Sequence, residues 1–154
     1  MKGHPVHDAL RFSSTLLAGS LAGMELASWA VVHPAVARLS HIEQVHAEKA
    51  LYRRFAQIQA PQMAFTITLA GVTAAASEGS ARTFAAVATG CFAGMLVLTF
   101  AGNMPINVAI LRWEEPGDPA RWQQLRRRWD RIHTLRILLD TGGFALLLAA
   151  CLEP

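Results

Sequence analysis

Apolar residues gather in long runs along this chain instead of alternating, the pattern of deeply buried helices and not of half-exposed strands. Residues 83–102 carry no charge over 20 positions. A helix of that length covers about 30 Å, the thickness of a bilayer's hydrocarbon core. Three further runs, 12–32, 61–77 and 135–152, read as spans of the same kind. The second and fourth are short and must borrow flanking residues or thin the bilayer. The first follows Arg11 and contains Ser28-Trp29-Ala30, so a signal peptide is its rival reading. Glu25 fits poorly in such a segment, and the apolar stretch continues past the supposed cut. The prediction is an all-α fold, a four-transmembrane-helix bundle forming one integral membrane domain over 1–154.

The two long connections are patterned as amphipathic helical segments. Ser40-x-x-Glu43 is a capping box, and Ile42, Val45, Leu51, Phe55 and Ile58 follow as a loose apolar stripe. Asp118-Pro119 reads as N-cap and first helical residue. Trp122, Leu125, Trp129 and Ile132 then recur at helical spacing, with Arg121, Arg127, Arg128 and Arg131 on the other face. This is a basic helix for a surface of anionic headgroups, running into the fourth span.

Composition supports the membrane reading. Hydrophobic residues make up 53% and charged ones 16%, against roughly 25% charged in a soluble domain. That excludes a disordered chain. The two cysteines, Cys91 and Cys151, lie inside apolar runs and read as free buried thiols. A net charge of +3, bunched near the ends of apolar runs, gives no nucleic-acid surface. The long connections hold 11 of the 14 Lys and Arg residues, whereas Lys2, Arg11 and Arg82 account for the rest. The positive-inside rule therefore puts the connections in the cytoplasm and both termini outside, as in a bacterial inner (plasma) membrane. Small-residue ridges, Gly19-x-x-x-Gly23 and Ala86, Gly90, Gly94, predict close helix contacts; a homo-oligomer stays open.

A charge in hydrocarbon costs about 2.5–3.5 kcal/mol on insertion scales, so each needs a reason. Glu25 sits mid-span. His133, Arg136 and Asp140, at i, i+3 and i+7, share one helical face, and Arg136 with Asp140 is a natural ion pair. Pro34 after His33 predicts a kink or stop. Pro105, within Asn103-Met104-Pro105-Ile106-Asn107, frees a carbonyl and breaks the third span. Both asparagines project to one side, either to bind a ligand or to re-satisfy the broken helix. With Gln57, Gln59 and Gln62 opening the second span, all four helices bring polar groups to one leaflet. A cavity there, roofed by the tryptophan-bearing connections, suits a small, flat, apolar aromatic ligand.

At Asn103-Met104-Pro105-Ile106-Asn107, and on through Trp113 and Trp122 to the stretch from Leu125 through Trp129 and His133 to Arg136, the chain resembles the anthrone-oxygenase-like family of small four-helix membrane proteins. The resemblance implies oxidation of an electron-rich polycyclic phenol, an anthrone, to its quinone by dioxygen, with no organic cofactor. Carried onto these residues, His133 is the base and Asp140 sets its charge state. Asn103, Asn107 and Arg136 become oxyanion donors, assisted by His33 and Glu25, with Trp113 and Trp129 against the substrate. A non-haem iron or copper centre on His33, His133 and Asp140 is the alternative. A non-catalytic role, as carrier of an apolar ligand or as a structural subunit, competes with both.

Overall fold

The computed structural model describes residues 5–114 and 117–153; Lys2 lies outside them. Among the described residues the structure is all-helical. Helix α1 (Pro5–Ala27) passes through a π-helical turn, Ser28–Val32, into α2 (His33–Val36). Helix α3 spans His41–Ala76. Helix α4 (Gly79–Leu98) passes through a second π turn, Thr99–Asn103, into α5 (Met104–Leu111), and α6 spans Pro119–Leu152. The result is four long rods. Each rod packs on its two neighbours, α1 on α3 and α6, and α4 on α3 and α6.

The rods are joined as their end signals predict. Glu43 accepts hydrogen bonds from the Ser40 N–H (2.9 Å) and hydroxyl (2.6 Å), and these hold its carboxyl below the ordinary value. Asp118 accepts from the Ala120 N–H at 2.9 Å. Both connection helices run without interruption into the following rod, so α3 continues through Pro61. Three helices, His7–Val36, Gly79–Leu111 and Pro119–Leu152, are long and apolar enough to cross a membrane. Helix α3 falls short of that standard. It carries Gln57, Gln59 and Gln62, and Thr66, Thr68 and Thr73 donate back to carbonyls four residues earlier.

Buried positions recur at alternating steps of three and four. In the first rod they include Ser14, Ala18, Leu21, Glu25 and Ser28; in α4 they are Ala81, Ala85, Ala88, Phe92 and Met95. In α6 they include Trp129, His133, Arg136, Asp140, Gly143, Leu147 and Ala150, with Ile137 buried beside the seam. A 3.5-residue repeat is the seam of a left-handed bundle. The seam, and not the ridge of Ala86 and Gly90, makes the contacts in α4. Both of those residues are exposed, and nothing lies within 4 Å of a Cβ built on Gly90. Likewise Ile42 and Ile58 face out, and Val45, Glu48 and Tyr52 form the buried stripe of α3. The cysteines are free, but neither is fully buried: Cys91 is half-buried and Cys151 exposed.

Helix α6 packs tightly on α4 at Gly143, where an added Cβ would lie 2.8 Å from the Phe92 ring and 3.3 Å from the Cys91 Cβ. Gly143→Ala is therefore expected to cost about 1–3 kcal/mol by overpacking. Gly142→Ala, which meets nothing within 4 Å, should be neutral or gain up to about 1 kcal/mol of helix propensity. Melting of the two variants in detergent separates them; equal melting would show that the contact carries no such constraint.

Neither proline stops its helix. Each follows a π turn that widens the backbone by one residue, with His33 donating to the Ser28 carbonyl and Met104 to the Thr99 carbonyl. The extra residue accommodates the proline ring, which would otherwise clash with the carbonyl four residues back. It also shifts the register. The first rod buries Ser28 and then His33, a step of five, and the next fully buried residue after Met95 in the third rod is Asn103.

Candidate functional site

The bundle has two apolar cores. One gathers Leu21, Met63, Ala88, Phe92 and Leu147. The other gathers Val45, Tyr52, Ile106, Ile110, Trp122 and Trp129. Along the first, third and fourth rods, the residues at the join between these cores are polar and buried: Glu25 and His33 on the first, Asn103 on the third, and His133, Arg136 and Asp140 on the fourth. Glu48 joins them from α3.

Two histidine–glutamate pairs organise this layer. His33 Nδ1 lies 3.2 Å from Glu48 Oε1 and 3.2 Å from Arg126 Nη2. His133 Nδ1 lies 3.2 Å from Glu25 Oε2, without the alignment of a hydrogen bond. The two imidazoles meet edge to face, 5.8 Å apart. Trp129 packs 4.4 Å from each of them. The Nε2 atoms of both histidines are buried with no hydrogen-bond partner.

Each pair is anchored by an arginine. Arg136 donates to Glu25 Oε1 and, at 3.4 Å, to Asn103 Oδ1. The expected Arg136–Asp140 ion pair does not form, because Arg136 turns to the first rod. Both Asp140 oxygens are buried without a hydrogen-bond partner, and the carboxylate beside His133 is Glu25. Arg126 lies 3.2 Å from Glu48 and 2.9 Å from Asp130, donates to the Tyr52 hydroxyl, and covers the Trp129 ring at 4.7 Å.

Asn103 and Asn107 both serve Trp129. Asn103 Nδ2 donates to the Trp129 carbonyl at 3.2 Å, and Trp129 Nε1 donates to Asn107 Oδ1 at 2.7 Å. The amides thus fix an indole that holds the two imidazoles. Trp113 lies apart, in an aromatic group with His41 and Trp122. Gly117, at φ +52°, lies so close that its Cβ would fall 2.4 Å from Trp113 Nε1. Gln62 donates to Ser20 and takes no part in the layer.

A cavity of about 680 Å³ opens onto the layer between the end of the first rod and the start of α6. His33, His133, Glu48, Arg126, Trp29 and Trp122 are among its walls. Trp29 is 46% exposed at the rim. Glu25, Asn103, Asn107, Trp113, Trp129, Arg136 and Asp140 do not reach the wall. The family model described as anthrone oxygenase matches residues 49–146. The chain belongs to the anthrone oxygenase family. No curated protein and no solved structure gives a match. The anthrone oxygenase match takes in Asn103, Asn107, Trp129, His133, Arg136 and Asp140, and leaves Glu25, His33 and Glu48 outside its bounds.

Local pattern does not single out Glu48, Tyr52 or Arg126 as site residues. Glu48 looks like one more charge in a polar connection; the signal was its place three residues after Val45 and four before Tyr52, on the buried stripe. Among the described residues no group of three or more His, Cys, Asp or Glu side chains is arranged to hold a metal ion. The wall can do acid–base chemistry: two imidazoles with a free nitrogen each, backed by carboxylates, beside an arginine.

Burial pushes the Tyr52 phenol well above its ordinary value of 10.0, against the pull of Arg126. The folded state thus prefers the protonated phenol. This stability is fully present below pH 10.0 and is lost as pH rises and the unfolded phenol ionises. In an alkaline melting series Tyr52→Phe should flatten that decline, at a cost of about 1 kcal/mol at neutral pH for the lost hydrogen bond. Parallel declines in both proteins would contradict it.

Proposed function

We propose that this chain is a membrane-embedded oxygenase that oxidises an apolar, anthrone-like aromatic with dioxygen in the imidazole-lined cavity. One observation carries the reading: two imidazoles, each with Nδ1 beside a buried glutamate and a buried, unpartnered Nε2, share the wall of one cavity with aromatic side chains. Its volume of about 680 Å³ falls in the range of small-molecule sites. Membership of the anthrone oxygenase family supports the reaction class.

An anthrone carries an acidic CH2 opposite its carbonyl. A base at the wall, His133 in this reading, removes one of these protons. The charge that develops on the substrate oxygen is met by Arg126, a largely buried cation on the wall beside His33. Dioxygen, which concentrates in lipid, then adds to the carbon, and no organic cofactor is required. In this proposal the second half of α3 completes four spans, the connections face the cytoplasm of a bacterial inner membrane, and the basic face of α6 rests on anionic headgroups.

The test is oxygen uptake by the detergent-purified protein with an anthrone, alongside bound-metal analysis. The expected result is uptake well above a detergent blank, with one quinone formed per dioxygen. Binding of the anthrone without uptake would make the protein a carrier, and neither binding nor uptake would make the cluster a packing device. Stoichiometric iron or copper would replace the cofactor-free route.

A further inference from the structure

We infer that the two imidazoles divide the reaction, His133 starting it and His33, held by Glu48, finishing it. This rests on the oxygenase reading above. Converting CH2 to C=O takes two proton removals from one carbon. In the first, a C–H proton leaves and the electron pair stays on the substrate as an enolate. Dioxygen takes up those electrons as a C–O bond forms, and the outer oxygen is protonated to give a hydroperoxide. In the second, the remaining C–H proton leaves and its electron pair becomes the C=O π bond. The O–O bond breaks, and the departing hydroxide takes a proton and becomes water. Carbon loses four electrons and dioxygen gains four, so anthrone and dioxygen give quinone and water.

The two rings suit different halves. His133 is 2% exposed and lies beside Glu25, whose other oxygen is paired to buried Arg136. That dry surrounding favours forming and holding an enolate. His33 faces the wetter side. Its partners Glu48 and Arg126 connect to Asp130, whose side chain is 52% exposed. Hydroxide departure needs donors and a way out for water, and this side of the cavity has both. His33 Nε2 and Glu48 Oε2 are buried with no hydrogen-bond partner, on residues that line the cavity. Such atoms are spare acceptors for a proton or a substrate hydroxyl. With ring centres 5.8 Å apart, both imidazoles can address one carbon of a bound substrate. Glu48 is a positioning residue, acting through Nδ1.

The experiment follows dioxygen consumed, hydroperoxide by iodide titration and quinone by absorbance, using an anthrone and the full-length protein in detergent. The wild type should give one quinone per dioxygen and no peroxide. His33→Ala should still consume dioxygen but release hydroperoxide, with quinone formation down about 10²-fold, and added imidazole should restore the quinone. Glu48→Gln should shift product toward peroxide in the same direction but less. His133→Ala should lower uptake itself by about 10²–10⁴-fold. Quinone at the wild-type rate from His33→Ala overturns the division, as does loss of uptake as complete as in His133→Ala. If His33→Ala elutes as aggregate, His33→Gln takes its place. A wild type that consumes no dioxygen defeats the oxygenase reading itself, a result distinct from either outcome in the variants.

Discussion

Glu25→Ala should destabilise the protein by about 3–5 kcal/mol, because it strands a guanidinium in the bundle interior. Arg136 is buried, and Glu25 is its ionic partner. Without it, one amide oxygen of Asn103 at 3.4 Å remains, and Arg136 Nε already lacks a partner. Guanidinium cannot shed its proton to escape. The opposite change, Arg136→Met, should cost less, since a stranded carboxylate can take up a proton. The double variant Glu25→Leu/Arg136→Met removes both charges and should recover most of the loss. Melting of the four proteins in detergent closes the cycle. Equal costs for the two single variants would mean that the pair is not held in a dry interior.

The largest effect on activity is expected at His133. His133→Ala should lower turnover by about 10²–10⁴-fold while the bundle stays folded. The ring makes no hydrogen bond that the fold depends on, although its loss leaves a space beside Trp129. Asp140→Asn is the informative companion. Asp140 lies off the cavity wall and Glu25 is the carboxylate at His133, so Asp140→Asn should retain turnover. Steady-state oxygen uptake with an anthrone measures both. A wild-type rate in His133→Ala places the base elsewhere, and inactivity of folded Asp140→Asn would return the carboxylate role to Asp140.

The helical architecture was legible because apolar runs, a capping box and an Asp-Pro start are local signals. The shared face of His133, Arg136 and Asp140 was legible for the same reason. Partner choice was not. Arg136 has an acid one turn away in Asp140, yet it pairs with Glu25, 111 residues earlier, and nothing local records which helices are neighbours. By sequence Asn103 and Asn107 suit either a ligand or the broken helix, whereas in the structure both hydrogen-bond Trp129. That role depends on how the third rod faces the fourth. Glu48 is hidden by its surroundings, since an acid among Gln, His and Lys resembles a solvated face.

The prolines taught the sharpest lesson. Pro34 and Pro105 predict breaks, but the chain adds one residue to the turn before each and continues. Each residue of helix turns the chain by about 100°. A regular helix over the same residues would therefore swing His33 and Asn103 out of the seam and bring Val32 and Gly102, four residues after Ser28 and seven after Met95, into it. The two widened turns thus choose which side chains face the interior, which suggests a route for re-aiming buried polar groups in a designed bundle without touching its loops.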